Sequence, residues 1–242
     1  MKGLRYAVGL LTRLPVGAPD DAARASSVPW YPVVGAGIGA LSGLTAYGAG
    51  RILPDLVAGI LAVAVSTAVT GALHLDGLAD VFDGFVGGWD RDRRLEIMGD
   101  PRLGTYGAAA LFLALALHTS LLAALAANPV VVLAAAAGGA VSRAVTVVGM
   151  GTAPVAVEGL GARHAAAVTP RRLVVTGIVG VAAGAALGGT GLAALGAAVV
   201  AGAAIVGWAR RAVGGITGDV LGAVQVTAEL AFLGTIVGSA RW

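Results

Sequence analysis

An all-α, polytopic transmembrane bundle is the fold class this sequence predicts, and three observations predict it. Of 242 residues, 57% are hydrophobic and only 12% charged, where a soluble domain carries roughly a quarter charged residues. Apolar runs of spanning length recur along the chain, separated by short polar segments. Within those runs Gly (39 residues) and Ala abound and aromatics are scarce, which lets helix backbones approach closely in lipid. No polar segment is long enough to fold alone, so residues 1–242 are expected to form a single integral membrane domain.

A spanning helix needs about 20 mostly apolar residues. About seven such segments are present: 33–50, 52–73, 108–127, 130–150, 172–188, 191–209 and 220–238. Ahead of them, the stretch LRYAVGLLTRL suits an interfacial amphipathic helix, and Trp30 and Tyr31 stand where an aromatic belt would anchor the first span. Arg13 and Pro15 interrupt the first apolar stretch and no small-residue cleavage site follows, so a signal peptide is not expected. With the N-terminus in the cytoplasm, thirteen of the sixteen basic residues fall on the cytoplasmic side. Arg51 and Arg241 fall outside and Arg143 lies within a span. That bias is the positive-inside pattern. It places every polar-rich loop, and with them the active site, toward the cytoplasm. The net charge of +3 is thereby explained by topology, and nucleic acid is not expected as a partner. The absence of cysteine excludes disulfides, iron–sulfur clusters and thiolate zinc sites.

Chemistry concentrates in HLDGLADVFDGFVGGWDRDRRLEIMGDPRLGTYG, residues 74–107, which holds seven of the thirteen acidic residues. Asp76, Asp80 and Asp83 are spaced i, i+4, i+7, so on a helix their carboxylates share a face. Like charges at about 4 Å repel by about 1 kcal/mol in water and about 4 kcal/mol at an effective dielectric of 20. A cation is expected there, and oxygen-only ligands favour Mg²⁺, with Mn²⁺ as the alternative. Gly77 and Gly84, each following an aspartate, would let a phosphate approach the backbone. The competing reading is a solvated acidic loop, against which the interleaved apolar residues argue.

The run WDRDRRLE alternates in sign, as a solvated surface turn does, although Arg91, Arg93 and Arg94 could also hold phosphate. Asp100 beside Arg102, before Gly104 and Gly107, makes either a phosphate site at a helix start or a loop salt bridge. Arg143 inside an apolar span is a functional-site candidate by default, with snorkelling to the membrane surface as the alternative. Glu229, deep in the last span, is explained by an inward-facing partner: Arg143 or a substrate group. Asp219 at the start of that span either caps the helix or completes the metal site. His164 alone points to nothing.

The motifs LLTRLPV (10–16), WYPVVG (30–35), HLDGLADVFDG (74–84), RRLEIMGDPRLGTYG (93–107), SRA (142–144), EGLGARHA (158–165) and GGITGDVLGA (214–223) together resemble the cobalamin (5'-phosphate) synthase family. Those enzymes are also called adenosylcobinamide-GDP ribazoletransferases. The likeness runs nearly end to end. It implies a Mg²⁺-dependent transferase in the bacterial inner membrane that joins α-ribazole, or its 5'-phosphate, to adenosylcobinamide-GDP and releases GMP. That is the last assembly of the vitamin B12 nucleotide loop. The resemblance implies Asp76, Asp80 and Asp83 as metal ligands. His74, Gly77, Gly84, Arg102, Arg143 and Asp219 are expected to contact substrate, and Asp100, then Asp83, to act as the base. Association into a homo-oligomer is left open.

A CDP-alcohol phosphotransferase making phospholipid is the nearest alternative. Asp80, Asp83 and Gly84 fit the opening of that motif, D-x2-D-G-x2-A-R-x8-G-x3-D-x3-D. Gly87, Gly88, Ile97, Pro101 and Thr105 break the remainder. A secondary transporter, suggested by Arg143 and Glu229 within spans, would place its charges at midplane and not crowd its acids into one short segment.

Overall fold

The structure, a computed structural model, describes residues 1–16 and 21–239. Residues 17–20 and Arg241, which was expected on the outer side, lie outside the described residues. The described residues are mostly helical: α1 (Lys2–Leu11), α2 (Arg24–Ser27), α3 (Tyr31–Gly50), α4 (Asp55–Thr70), α5 (Leu73–Gly87) and α6 (Arg91–Met98) are followed by α7 (Thr105–Leu125) and α8 (Val130–Thr152). Then come α9 (Leu160–Ala165), α10 (Pro170–Ala185), α11 (Gly188–Val213) and α12 (Gly218–Ser239). Extended pairing among the described residues is confined to one bridge, Val155 to Ile216.

Each of the seven apolar segments forms a helix, but they are not equal. Five runs are long and apolar enough to cross a bilayer: 24–50, α7, α8, α11 and α12. α4 and α10 have 16 residues each, so at ~1.5 Å per residue they reach about 24 Å, short of the ~30 Å hydrocarbon core. Against the seven spans expected, five helices, or six if α4 and α5 form one bent span, have the length and apolarity to cross. The cause is local. Gly71 ends α4 in the left-handed region at φ 62°, and Ala72 follows at φ 60°, so that α5 departs at 92°. For a residue with a Cβ this conformation costs roughly 1–2 kcal/mol. Arg13 holds the other side of the corner: its N–H donates to the Val69 carbonyl at 2.8 Å, and its side chain fills the space a Cβ on Gly71 would take.

Small residues set the tightest helix contact. Gly35, Gly39 and Gly43 of α3 recur every four residues and lie on Gly139, Ala135 and Val131 of α8. A Cβ on Gly43 would stand 2.7 Å from the Val131 carbonyl oxygen, and one on Gly39 would collide with that of Ala135. Large side chains, Phe232, Leu233 and Leu122 among them, fill the centre between α7, α8 and α12.

The polar connections gather at one end. Asp90 caps α6 by accepting from the Arg93 N–H at 2.8 Å. Arg91 donates to the Val213 carbonyl at 3.1 Å and that of Ala156 at 3.0 Å, and Arg94 donates to the Ala212 carbonyl at 3.0 Å. These arginines therefore clamp α6 to the end of α11, while Arg93 pairs with Glu96 at 2.8 Å. α1 lies on α2 and α3, burying Tyr6, Ala7 and Leu11. Trp30 stays partly exposed as a belt residue would, but Tyr31 is 2% exposed and turns inward, which corrects its assignment to the belt.

Replacing Gly39 by Ala is expected to cost about 1–3 kcal/mol by overpacking, lowering the thermal midpoint in detergent. Gly37→Ala, where a Cβ meets nothing within 4 Å, is expected to cause no loss.

Candidate active site

α5 carries the acids past the start of α12, and two glycines bring the helices together. A Cβ on Gly77 would stand 2.8 Å from the Asp219 Cα, and one on Gly222 would stand 3.1 Å from the His74 carbonyl oxygen. Gly84 is filled likewise, by the Met98 side chain and the Arg94 carbonyl of α6. Gly77 and Gly84 were expected to make room for phosphate; the structure corrects this, since protein occupies both places.

The acidic cluster then sorts itself. Asp83, 9% exposed, accepts from the Gly104 N–H and the Gly107 N–H, each at 2.8 Å. It thus satisfies donors at the start of α7 that would otherwise be orphaned and fixes the loop 99–104 against α5. Asp92 pairs with Arg91 and Asp100 with Arg102. The Arg102 hydrogen bonds hold the Asp100 carboxyl down to about 2, and the same pairing raises the guanidinium above its ordinary value. Asp100 was expected to be the base; this clamp makes it a poor proton acceptor at neutral pH. Five of the seven acids in the motif thus have structural partners.

Asp76 and Asp80 do not. Among the described residues no cation pairs with either, and Asp80 lies within Coulombic reach of Asp219, then Asp76, then Asp83. Asp219 is also left for the site, because Thr217 does the capping: its hydroxyl accepts from the Val220 N–H at 3.2 Å. Asp219 therefore does not carry the cap; it accepts from the Thr217 hydroxyl at 3.4 Å and lines a cavity.

Two cavities flank α5 and share Asp76. One, of ≈ 610 Å³, is bordered by Asp80, Asp100 and Arg102. The other, of ≈ 250 Å³, is lined by His74, Asp219 and Arg143 at its inner end and by Tyr31, Met150 and His164 further out. A smaller hollow of ≈ 50 Å³ lies deeper, between His74, His118, Arg143, Gln225 and Glu229. Arg143 is 4% exposed and its guanidinium donates to Glu229 at 2.9 Å, which supplies the expected inward-facing partner and removes snorkelling as an account. Gln225 donates to the Ser142 hydroxyl at 3.2 Å and to the Glu229 carboxylate. Among the described residues the buried Nε of Arg143 has no partner.

Sequence reasoning missed two groups of residues. His118 faces His74 across the small hollow, but a lone histidine in an apolar span carries no periodic signal. His164 gave no lead in the sequence. In the fold it is 3% exposed, hydrogen-bonded to the Tyr6 hydroxyl at 3.2 Å and edge-on to Tyr31.

Donor chemistry decides whether a divalent ion fits. Asp76, Asp80 and Asp219 are oxygen donors without a cation partner, held near one another by backbone contact. Yet no group of three or more acidic or histidine side chains among the described residues forms a ready cage. That combination suits Mg²⁺, which is held by one or two carboxylates and completed by substrate phosphates.

Fold and site together define a class: a polytopic membrane protein with an acidic, arginine-bordered cleft at the end where its polar loops gather. The chain matches the family described as Cobalamin-5-phosphate synthase over residues 3–237, and it belongs to that family. It is similar to the adenosylcobinamide-GDP ribazoletransferase of Azorhizobium caulinodans, 39% identical over 94% of this chain and 91% of the relative. A protein of the same name from Bradyrhizobium diazoefficiens is 39% identical over 95% of this chain and 91% of its own. One from Shewanella baltica is 44% identical over 48% of this chain and 45% of its own. No solved structure matches.

Replacing Glu229 by Ala leaves a buried guanidinium without its anion and is expected to cost about 3–5 kcal/mol, whereas Arg143→Met combined with Glu229→Leu loses much less. Thermal unfolding of the two variants in detergent checks the difference.

Proposed function

We propose that the protein is an adenosylcobinamide-GDP ribazoletransferase: it joins α-ribazole or α-ribazole 5'-phosphate to adenosylcobinamide-GDP with release of GMP. The observation that carries this reading is the pair of cavities meeting at Asp76, one charged and one mostly apolar. Two substrates could reach one carboxylate from opposite sides of α5. The end bearing the cleft faces the cytoplasm of a bacterial cell, as the basic residues gathered there favour.

The diphosphate of adenosylcobinamide-GDP lies in the larger cavity, near Arg102. Asp80 and Asp219, with Asp76 beside them, would hold Mg²⁺. When bound, that ion neutralises charge on the diphosphate and on the departing GMP. Positioning and electrostatics do most of the work in such transfers, and the residues divide it. A carboxylate oxygen of Asp76 takes the proton from the attacking ribose hydroxyl. The hydroxyl oxygen bonds to the cobinamide-side phosphorus, the bond from that phosphorus to the bridging oxygen breaks, and that oxygen leaves on GMP. Asp83 acts indirectly, by holding loop 99–104 and so Arg102 in place. The broken second half-motif, with Gly87, Gly88, Ile97, Pro101 and Thr105 at its key positions, argues against a CDP-alcohol substrate. The burial of Arg143 against Glu229 gives the transporter reading no open charge at midplane.

Asp80→Asn is expected to abolish GMP release while leaving thermal stability unchanged or slightly raised, because a repulsion is removed. Asp83→Asn keeps only one good acceptor for two N–H donors and is expected to lose about 1–3 kcal/mol as well as activity. Full activity in Asp80→Asn would sink the proposal. Chelation with EDTA is expected to stop GMP release in the unmodified protein, and added Mg²⁺ to restore it.

A further inference from the structure

The ≈ 250 Å³ cavity has a wall that the transfer chemistry leaves unused. Away from Asp76 it is lined by Leu10 and Leu11 of α1, Tyr31 of α3, Met150 of α8 and His164 of α9. Burial holds the His164 imidazole down to about 4, helped by the charges of Arg24 and Arg163, so the ring is neutral at physiological pH. A chain of hydrogen bonds stands behind it. The Arg24 Nε can only donate, and it does so to the Tyr6 hydroxyl at 3.3 Å. Tyr6 then has its own proton to give to His164 Nε2, 3.2 Å away. With Nε2 accepting, the ring proton sits on Nδ1, and His164 can donate once more. Tyr6 and Tyr31 meet the imidazole edge-on, with ring centroids at 5.8 and 6.1 Å, which fixes the plane of the ring.

Such a wall suits a flat, weakly polar group with one hydrogen-bond acceptor, and offers little to a phosphate. Its volume falls just below the ~300–1,000 Å³ of ordinary small-molecule sites. A nucleoside-sized group is therefore admitted and a corrin macrocycle is not. Resting on the ribazole-transfer reading above, we propose that this cavity is the acceptor subsite, in which His164 donates to the unsubstituted ring nitrogen of the heteroaromatic base while Tyr31, Leu11 and Met150 enclose its faces. The ribose then points toward Asp76 and Asp219, where the donor phosphate arrives from the other side of α5. Tyr6 and Arg24 are positioning residues that set the imidazole tautomer.

Steady-state kinetics of the full chain in detergent with Mg²⁺ test this. His164→Ala is expected to raise KM for α-ribazole about tenfold, the worth of one buried hydrogen bond, with kcat and the KM for adenosylcobinamide-GDP little changed. His164→Asn, which keeps an N–H near the Nδ1 position, is expected to recover most of that loss. Met150→Trp, which fills the cavity from α8 without touching the hydrogen-bond chain, is expected to weaken acceptor use while binding of adenosylcobinamide-GDP stays intact. An unchanged acceptor KM in both His164→Ala and Met150→Trp, with the donor still bound, overturns the subsite but not the reaction. Failure of the unmodified protein to release GMP from the two substrates overturns both.

Discussion

No side chain separates α5 from α12 where Gly77 meets the backbone of Asp219 and Gly222 meets that of His74. The rest of the site depends on this contact. Backbone proximity at the crossing brings carboxylates from two helices, Asp76 and Asp80 on one and Asp219 on the other, into a shared field. In a medium of low dielectric that arrangement is unfavourable unless something cationic arrives. The corner at Gly71 and Ala72 serves the same end, turning α5 by 92° so that it runs across α12 and does not continue α4.

Around this centre the other acids of the motif are neutralised locally. Asp83 is spent on two amides of the α7 start, Asp90 on the α6 start, and Asp92, Glu96 and Asp100 on neighbouring arginines. Arg143 and Glu229 neutralise one another within the bundle. Of the acids in the motif, the two left without a cation, Asp76 and Asp80, line the two cavities. Electrostatic selection of this kind marks a site more sharply than the density of acids in the sequence, because it separates the carboxylates that build the scaffold from those available to a ligand.

The fold class was legible because helical periodicity and low charge content are local properties. The span count was not, since Gly71 shortens α4 through a backbone conformation that composition does not reveal. The acid motif announced the location of the site, yet the division of labour within it depended on partners far along the chain. Asp83 finds its amides 21 and 24 residues away, and nothing at i, i+4, i+7 distinguishes it from Asp80. Glycine at positions 77 and 84 correctly signalled close approach, but what approaches is protein backbone and a methionine, which only the packing of α6 and α12 could decide. Thr217 displaced Asp219 as the helix cap from two residues upstream. The outer wall of the acceptor cavity draws on α1, α3, α8 and α9, and no short motif spans that distance.

The central claim is that Asp80 and Asp219, with Asp76 beside them, form an incomplete cation site that a diphosphate completes. Its most direct test is the thermal stability of the purified protein in detergent with Mg²⁺ alone, adenosylcobinamide-GDP alone, and both together. The account predicts a small response to either alone and a large stabilisation with both, absent when Asp76 and Asp80 are replaced together by Asn. Equal stabilisation of the unmodified protein and that double variant would contradict it.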